Sequence, residues 1–270
     1  MPSIRGIAEH MLNNGPRKVS PTSRRVRVLF NNTYIVDTTE ATHVWEHDYF
    51  PEYYVPTRSL QNCDYVSQED FSISGTAAPG ASILSIKIPG PDGVVAKTTD
   101  SAIAFSEHLD SMSAASPLAG LVRLDFNSMD GWLEEDTPIY VHPKDPFRRI
   151  DVLPSSRPIK ITLSRFTLAE SPSSVHLLET GLPTRYYLPL ASLNQQYIRK
   201  SNFITKCPYK GDAEYYDVVI NGHCFPNVAW YYRFPTLESA GIAGLVCFYN
   251  EQVDITLDGK ALERPKRHFE

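Results

Sequence analysis

What this 270-residue chain lacks narrows it before any motif does. It has no surplus of positive charge: 26 Lys and Arg stand against 31 Asp and Glu, for a net charge of −5. A nucleic-acid binder draws most of its affinity from neutralising phosphates, so this balance argues against nucleic acid as a partner. The basic runs (Arg24, Arg25 and Arg27; Lys266 and Arg267) are short and read as solvated ends. No apolar stretch approaches the roughly 20 residues that span a bilayer, and the first residues lack a signal-peptide core, so a membrane partner is not expected. Cysteine is sparse: Cys63, Cys207, Cys224 and Cys247 include no C-x-x-C pair, which argues against a structural zinc and leaves no metal site to name. A cytoplasmic protein with reduced thiols is the expectation.

Long helical periodicities are also scarce. Ile4–Leu12 is the exception: Ile4, Ile7, Ala8 and Met11 fall on one helical face, predicting a short helix ahead of a turn-rich linker, Asn13–Ser23. From Arg24 onward, 21 prolines and 14 glycines punctuate short strands. Asn31-Asn32, the PGPDG segment at 89–93 and Asn221-Gly222 mark hairpin turns. Gln61–Asp70 is polar throughout and reads as weakly ordered.

The strand order then repeats. Glu46, Tyr53-Tyr54 and Pro56 return 133 residues later as Glu179, Tyr186-Tyr187 and Pro189; Gly80 returns as Gly211 at 131; Ala119–Val122 and Asp130 return as Ala243–Val246 and Asp254 at 124. Shrinking offsets of this kind indicate a duplication with loop differences. The division expected is an N-terminal arm with a short helix (1–22), a first repeat (23–150) and a second repeat (151–270).

The strings EEDTPIYVHPKDPFRRIDVLPSSR, LETGLPTRYYLP, TKCPYKGDAEYYDV, VAWYYRFP and AGLVCFYNEQVDITLDG resemble the family called domain of unknown function 427. The resemblance covers about residues 24–260. It implies an all-β, mainly antiparallel fold: two tandem β-tent-like domains behind the short N-terminal helix. The family's label, nucleotidyltransferase-like, implies nucleotide transfer. This chain has neither a Gly-Ser turn followed by paired aspartates nor a P-loop.

Candidate chemistry concentrates in the second repeat, around SNFITKCPYKG (201–211). There Cys207, Tyr209 and Lys210 meet a turn glycine, Gly211, where the first repeat has TAAPG (76–80). Lys210 reads as an anion clamp or, if desolvated, a base or Schiff-base nucleophile; a surface lysine on a turn is the plain alternative. Tyr209 reads as a general acid or as filling beneath the turn, and Cys207 as a buried structural thiol or a nucleophile. Glu179 and Arg185 flank GLPT as an expected ion pair, with Arg185 free to fork onto a carboxylate. Tyr186 and Tyr187 point to opposite faces, so one at most lines a pocket. Trp230 and Tyr232 share a face as an aromatic wall or as core, with Phe105 expected to answer Trp230. Glu251 and Asp254 are an acid–base pair or a polar strand end. His142 with Asp145 suits proton transfer, or sits in a rigid linker.

These residues point to a small-molecule enzyme with no metal or nucleotide cofactor. It would act by acid–base chemistry (isomerisation, cyclisation, dehydration or hydrolysis) on a carbonyl- or carboxylate-bearing metabolite. Lys210, Tyr209, Glu251 and Asp254 would be catalytic; Arg185, Tyr186, Trp230, Tyr232, Cys207 and His142 would bind substrate. A non-catalytic ligand- or protein-binding module is the rival reading, with nucleotide transfer a third. The expected partner is a small molecule, and a homodimer is left open.

Overall fold

A computed structural model describes residues 3–72, 78–90 and 95–265. Thr76 and Ala77, most of the PGPDG turn, and Lys266 and Arg267 lie outside the described residues. The chain divides into two units, Met1–Asp145 and Pro146–Glu270.

The first unit opens with helix α1 (Ile4–Asn14). Ser3 caps it by accepting the Gly6 N–H at 3.1 Å, and Gly15, at φ 69°, ends it. Eleven strands follow: β1 (Lys18–Pro21), β2 (Val26–Phe30), β3 (Thr33–Thr38), β4 (Thr42–Trp45), β5 (Glu52–Pro56), β6 (Asp64–Phe71), β7 (Ala81–Pro89), β8 (Val95–Phe105), β9 (Leu121–Leu124), β10 (Gly131–Glu134) and β11 (Thr137–Ile139). They form two open antiparallel sheets, β1-β4-β5-β9-β8-β7-β6 and β11-β10-β2-β3. Between the sheets lies a core containing Val28, Phe30, Tyr53, Ile86, Val122, Phe126 and Trp132. The opposite face of the large sheet, its outer face, is covered by α1, whose Ala8, Met11 and Leu12 pack on Val44, Tyr54, Ile83, Ile103 and Phe105.

The second unit repeats this plan with β12 (Ile150–Ser155), β13 (Ile159–Leu163), β14 (Phe166–Ser171), β15 (Ser174–Glu179), β16 (Arg185–Leu188), β17 (Ile198–Cys207), β18 (Gly211–Ile220), β19 (His223–Tyr232), β20 (Val246–Phe248), β21 (Asp254–Leu257) and β22 (Lys260–Ala261). Its sheets run β12-β15-β16-β20-β19-β18-β17 and β14-β13-β21-β22, the same order strand for strand. The fold is thus predominantly antiparallel β in two tandem halves with a short N-terminal helix. That helix belongs to the first unit; among the described residues the second has no α-helix, and a six-residue 3-10 helix, Leu237–Ile242, instead packs Ile242 against its outer sheet face.

Turn chemistry explains much of the register. Asn31 and Asn32 (φ 51° and 57°) and Asn221 and Gly222 (φ 50° and 80°) take the left-handed conformation that a two-residue hairpin needs. Ser164 and Arg165 adopt it too (φ 49° and 73°), at the place of Asn31-Asn32, held there by the β13–β14 ladder rather than by their own preference. The polar stretch expected to be weakly ordered is strand β6. It is an edge strand exposed on most positions, so pairing with β7 supplies the order that its composition does not announce.

Pairing also shifts three expected equivalences. Ala81 faces Phe105 as Ala213 faces Tyr232, so Phe105 matches Tyr232, Ile103 matches Trp230, and Gly80 stands one residue out of step with Gly211. The two glycines do different work. Gly211 sits at φ 96°, whereas a Cβ on Gly80 would come within 2.7 Å of Leu12 Cδ1 on α1. Likewise Gly131 faces Leu29 as Asp254 faces Thr162, so Asp254 falls one residue off Asp130.

Candidate functional site

Strand alternation builds the site. On the outer face of the second large sheet stand Leu177, Tyr187, Tyr215, Trp230, Tyr232 and Cys247, with Tyr249 packed against them. At the same register the first repeat has Ile83 for Tyr215, Ile103 for Trp230 and Phe105 for Tyr232. Tyr54, which faces Arg123 as Tyr187 faces Cys247, is the aromatic common to both.

Two buried ion-pair groups border these aromatics. Glu179, at the end of β15, accepts from Arg148 at 3.1 Å and, through its other oxygen, from Lys210. Arg148 lies 5.8 Å from the Tyr209 ring. Arg185 grips Glu251 with two parallel hydrogen bonds of 2.8 Å, and its guanidinium lies 5.6 Å from the Trp230 ring and 5.9 Å from that of Tyr249. Forked pairing of this type fixes both distance and plane. Burial opposes the Arg185 charge most strongly, but the Glu251 hydrogen bonds together with the charge interactions with Cys247, Glu251 and Tyr249 hold the pKa above its ordinary value.

The turn that carries Lys210 is tied down from behind. The Tyr209 carbonyl accepts from the Thr236 and Ser239 hydroxyls, and the Lys210 carbonyl accepts from the Thr236 N–H at 3.3 Å. Any Cβ on Gly211 would meet the Phe234 carbonyl oxygen at 3.1 Å, which restricts this position to glycine.

The phenols supply neutral donors. Tyr187 accepts the Trp230 indole N–H at 3.2 Å. The Tyr215 hydroxyl bonds Thr205 at 2.9 Å and Tyr249 at 3.4 Å. The Tyr232 hydroxyl has no hydrogen-bond partner among the described residues. Desolvation raises the pKa of Tyr187, Tyr232 and Tyr249, and pushes the Cys247 thiol up to about 12. All four therefore stay protonated at neutral pH. Among the described residues no group of His, Cys, Asp and Glu is placed to hold a metal ion, and no helix is long and apolar enough to cross a membrane.

Seven of the residues expected to carry chemistry lie together on this face: Cys207, Tyr209, Lys210, Arg185, Trp230, Tyr232 and Glu251. Three lie elsewhere. Tyr186 points to the opposite face, packed on the inter-sheet core and edge-on to His176 at 4.8 Å. Asp254 is exposed at the start of β21, bonded to Arg264 at 2.7 Å. His142 is in the first unit, stacked on Phe50 at 3.9 Å. Glu179 and Arg185 do not pair with each other; each takes a closer partner across the sheet. Sequence reasoning overlooked Arg148, Tyr187, Tyr215 and Tyr249. Tyr187 was within reach, since it shares strand parity with Arg185. Nothing in the sequence singles out Arg148 from the other charges of the connecting segment.

A second motif is repeated and was also passed over. Arg24, His43 and Tyr53 return as Arg157, His176 and Tyr186, and each arginine pairs with an acid at the end of the adjoining strand, Glu134 in the first repeat and Asp258, which by register answers Glu135, in the second. His43 is buried with both ring nitrogens unpartnered, whereas His176 bonds the Ser174 hydroxyl at 3.1 Å; Ala41 stands where that serine would be. Burial lowers the pKa of both histidines.

The second repeat therefore carries buried polar and aromatic clusters of the kind that form binding or catalytic sites. The family described as Domain of unknown function (DUF427) matches residues 18–135 and, separately, residues 151–259. No curated protein matches the chain.

Proposed function

This chain belongs to the family described as Domain of unknown function (DUF427), as two tandem copies, and from that premise we propose that the second copy is the working one. In this reading it binds a small carbonyl- or carboxylate-bearing metabolite on the outer face of its large sheet and acts on it by acid–base chemistry without a cofactor. The observation that carries the reading is the Tyr232 hydroxyl: a neutral donor with no hydrogen-bond partner among the described residues, set among aromatic rings and beside the Lys210–Glu179 and Arg185–Glu251 ion pairs. A hydroxyl so placed gains a hydrogen bond when a carbonyl or carboxylate oxygen arrives.

Lys210 and Arg185 supply the positive field, Trp230 and Tyr232 the wall, and Tyr209 stands under the Lys210 turn. Lys210 acts here as a paired ammonium rather than as an imine-forming amine, since Glu179 holds it. Glu251, with both oxygens on Arg185, orients that arginine rather than taking protons freely. The phenols, held protonated by burial, are thus the hydrogen-bond donors for a substrate oxygen.

The test is calorimetric titration of the full chain with acetate, pyruvate, 2-oxoglutarate, benzoate and levulinate. Saturable binding of one of them should fall at least tenfold in Tyr232→Phe, while the melting temperature stays put, because that hydroxyl has no protein hydrogen bond to lose. Binding that is equal in the variant, or absent throughout the panel, overturns the proposal. Conversion of the bound compound, followed by NMR, separates the enzyme from the rival binding module.

A further inference from the structure

On the inner side of the second large sheet, away from the aromatic face, is a cavity of about 250 Å³ lined by Pro183, Tyr186, Asn250, Val253, Ile255 and Leu262, among others. Its origin can be read from the other repeat. Asn250 follows Tyr249, whose N–H bonds the Val228 carbonyl as the Asp125 N–H bonds that of Ser101; Phe126 therefore holds the place of Asn250. Ile255 faces Ile161 on β13 as Trp132 faces Val28 on β2, so Trp132 holds the place of Ile255. In the first repeat these two large rings are stacked 5.2 Å apart and 6° from parallel, with Tyr53 6.4 Å from Trp132. The Trp132 indole N–H donates to the Phe126 carbonyl at 3.1 Å. In the second repeat both rings have become smaller side chains, and Tyr186, the counterpart of Tyr53, lines the space.

Two polar groups there lack partners. The Asn250 amide is fixed by donating to the Thr184 carbonyl at 2.8 Å, which leaves its oxygen buried and without a hydrogen bond. The Tyr186 hydroxyl makes none among the described residues. A buried acceptor left unmade is costly, and a cavity lined by a tyrosine ring and branched aliphatics, with the exposed Glu263 and Arg264 beside them, favours a flat guest with a polar edge.

We infer that this cavity is a second binding site, for a small flat heteroaromatic molecule bearing an N–H group. Such a molecule occupies the space that Trp132 fills in the first repeat, packs its ring against Tyr186, Val253 and Ile255, and turns its N–H toward the Asn250 oxygen. Seating it needs a small adjustment of the Asn250 side chain, whose oxygen is covered in the unliganded protein. The site is separate from the proposed outer-face site, although Asn250 adjoins Glu251 and Tyr186 adjoins Arg185 in sequence.

Indole and 1-methylindole are the probes, titrated into the full-length protein with methyl-labelled valine and isoleucine and followed by NMR. Indole should shift the Val253 and Ile255 methyl resonances saturably, and 1-methylindole, which has no N–H, should bind at least tenfold more weakly. Ile255→Trp, which restores the first repeat's ring, should abolish indole binding, and Asn250→Leu should erase the preference for indole over 1-methylindole. Lys210→Met should leave indole binding unchanged, which separates failure here from failure of the outer-face reading. Absence of methyl shifts at millimolar indole, equal affinity for the two probes, or undiminished binding in a folded Ile255→Trp protein overturns the inference. If Ile255→Trp does not fold, the Asn250→Leu comparison decides alone.

Discussion

The outer faces of the two large sheets began as the same surface and now do opposite things. In the first repeat Ile83, Ile103 and Phe105 form a floor on which α1 lies, and beneath it two carboxylates, Glu46 and Asp125, pair with one buried arginine, Arg123, with the Glu52 carboxyl nearby. In the second, Tyr215, Trp230 and Tyr232 replace the floor, Arg185 replaces Glu52, and Cys247 replaces Arg123. Glu46 and Glu179 are the acid that both keep, but its cation has moved. Arg123 reaches Glu46 at 2.6 Å from β9, across β5, whereas Glu179 is served by Arg148 and by Lys210 on the turn. A shared fold thus holds its carboxylate by whichever cation is near, and the aromatic and cationic groups around it are free to change. That freedom is where a site can arise.

Breaking the shared acid should separate the repeats most. Glu179→Gln removes the carboxylate that faces the largely buried Lys210 and Arg148, and should cost about 3 kcal/mol in urea denaturation. Glu46→Gln should cost less, because Asp125 and Glu52 remain near Arg123. Equal losses would mean that the two networks are energetically alike.

Next in size is the Arg185–Glu251 fork, which the first repeat lacks. Arg185→Met alone leaves a buried carboxylate and should cost about 3 kcal/mol, whereas Arg185→Met with Glu251→Met should recover most of that loss. Additive losses in the double-mutant cycle would show the pair to be uncoupled.

The glycines sharpen the contrast at smaller scale. Gly211→Ala places a side chain at φ 96° against a carbonyl oxygen and should cost about 2 kcal/mol. Gly80→Ala should cost about 1 kcal/mol, by displacing Leu12. Combining Gly80→Ala with Leu12→Ala should remove the clash term, while no change on α1 should relieve Gly211.

A different kind of contrast is one of pH. Desolvation raises the Glu52 carboxyl from its ordinary 4.5 to about 8, with Arg123 opposing and Glu46 reinforcing the shift. A carboxyl whose pKa is raised by folding binds its proton more tightly in the native state. Its contribution is fully present below pH 4.5 and is lost as pH rises through about 8. Glu52→Gln should flatten that part of the stability profile, and Arg185, its counterpart, should show no such dependence between pH 5 and 8.

Much of the fold was legible because the duplication was legible: Glu46/Glu179 and the paired tyrosines fix two like units, and Asn31-Asn32 and Asn221-Gly222 announce their turns. Registers were legible only to within one or two residues, since loops absorb insertions silently; hence Phe105 was matched to Trp230 and Gly80 to Gly211. The site was half legible. Lys210, Arg185, Trp230 and Tyr232 stand out by type and strand parity. The partners that decide their chemistry, Arg148 for Glu179 and Glu251 for Arg185, lie 31 and 66 residues away and are chosen by sheet pairing. The second cavity was invisible, because it consists of what Phe126 and Trp132 fill and Asn250 and Ile255 do not.

The central claim is that ligand chemistry resides in the second repeat, and the chain offers a direct reporter. Its three tryptophans are Trp45 and Trp132 in the first repeat and Trp230 in the second. With 5-fluorotryptophan incorporated, ¹⁹F NMR gives one resonance for each. Addition of the carboxylate or carbonyl compound that binds in calorimetry should shift the Trp230 resonance saturably and leave those of Trp45 and Trp132 in place. Shifts at Trp45 or Trp132 with Trp230 unmoved would contradict the assignment of the site to the second repeat.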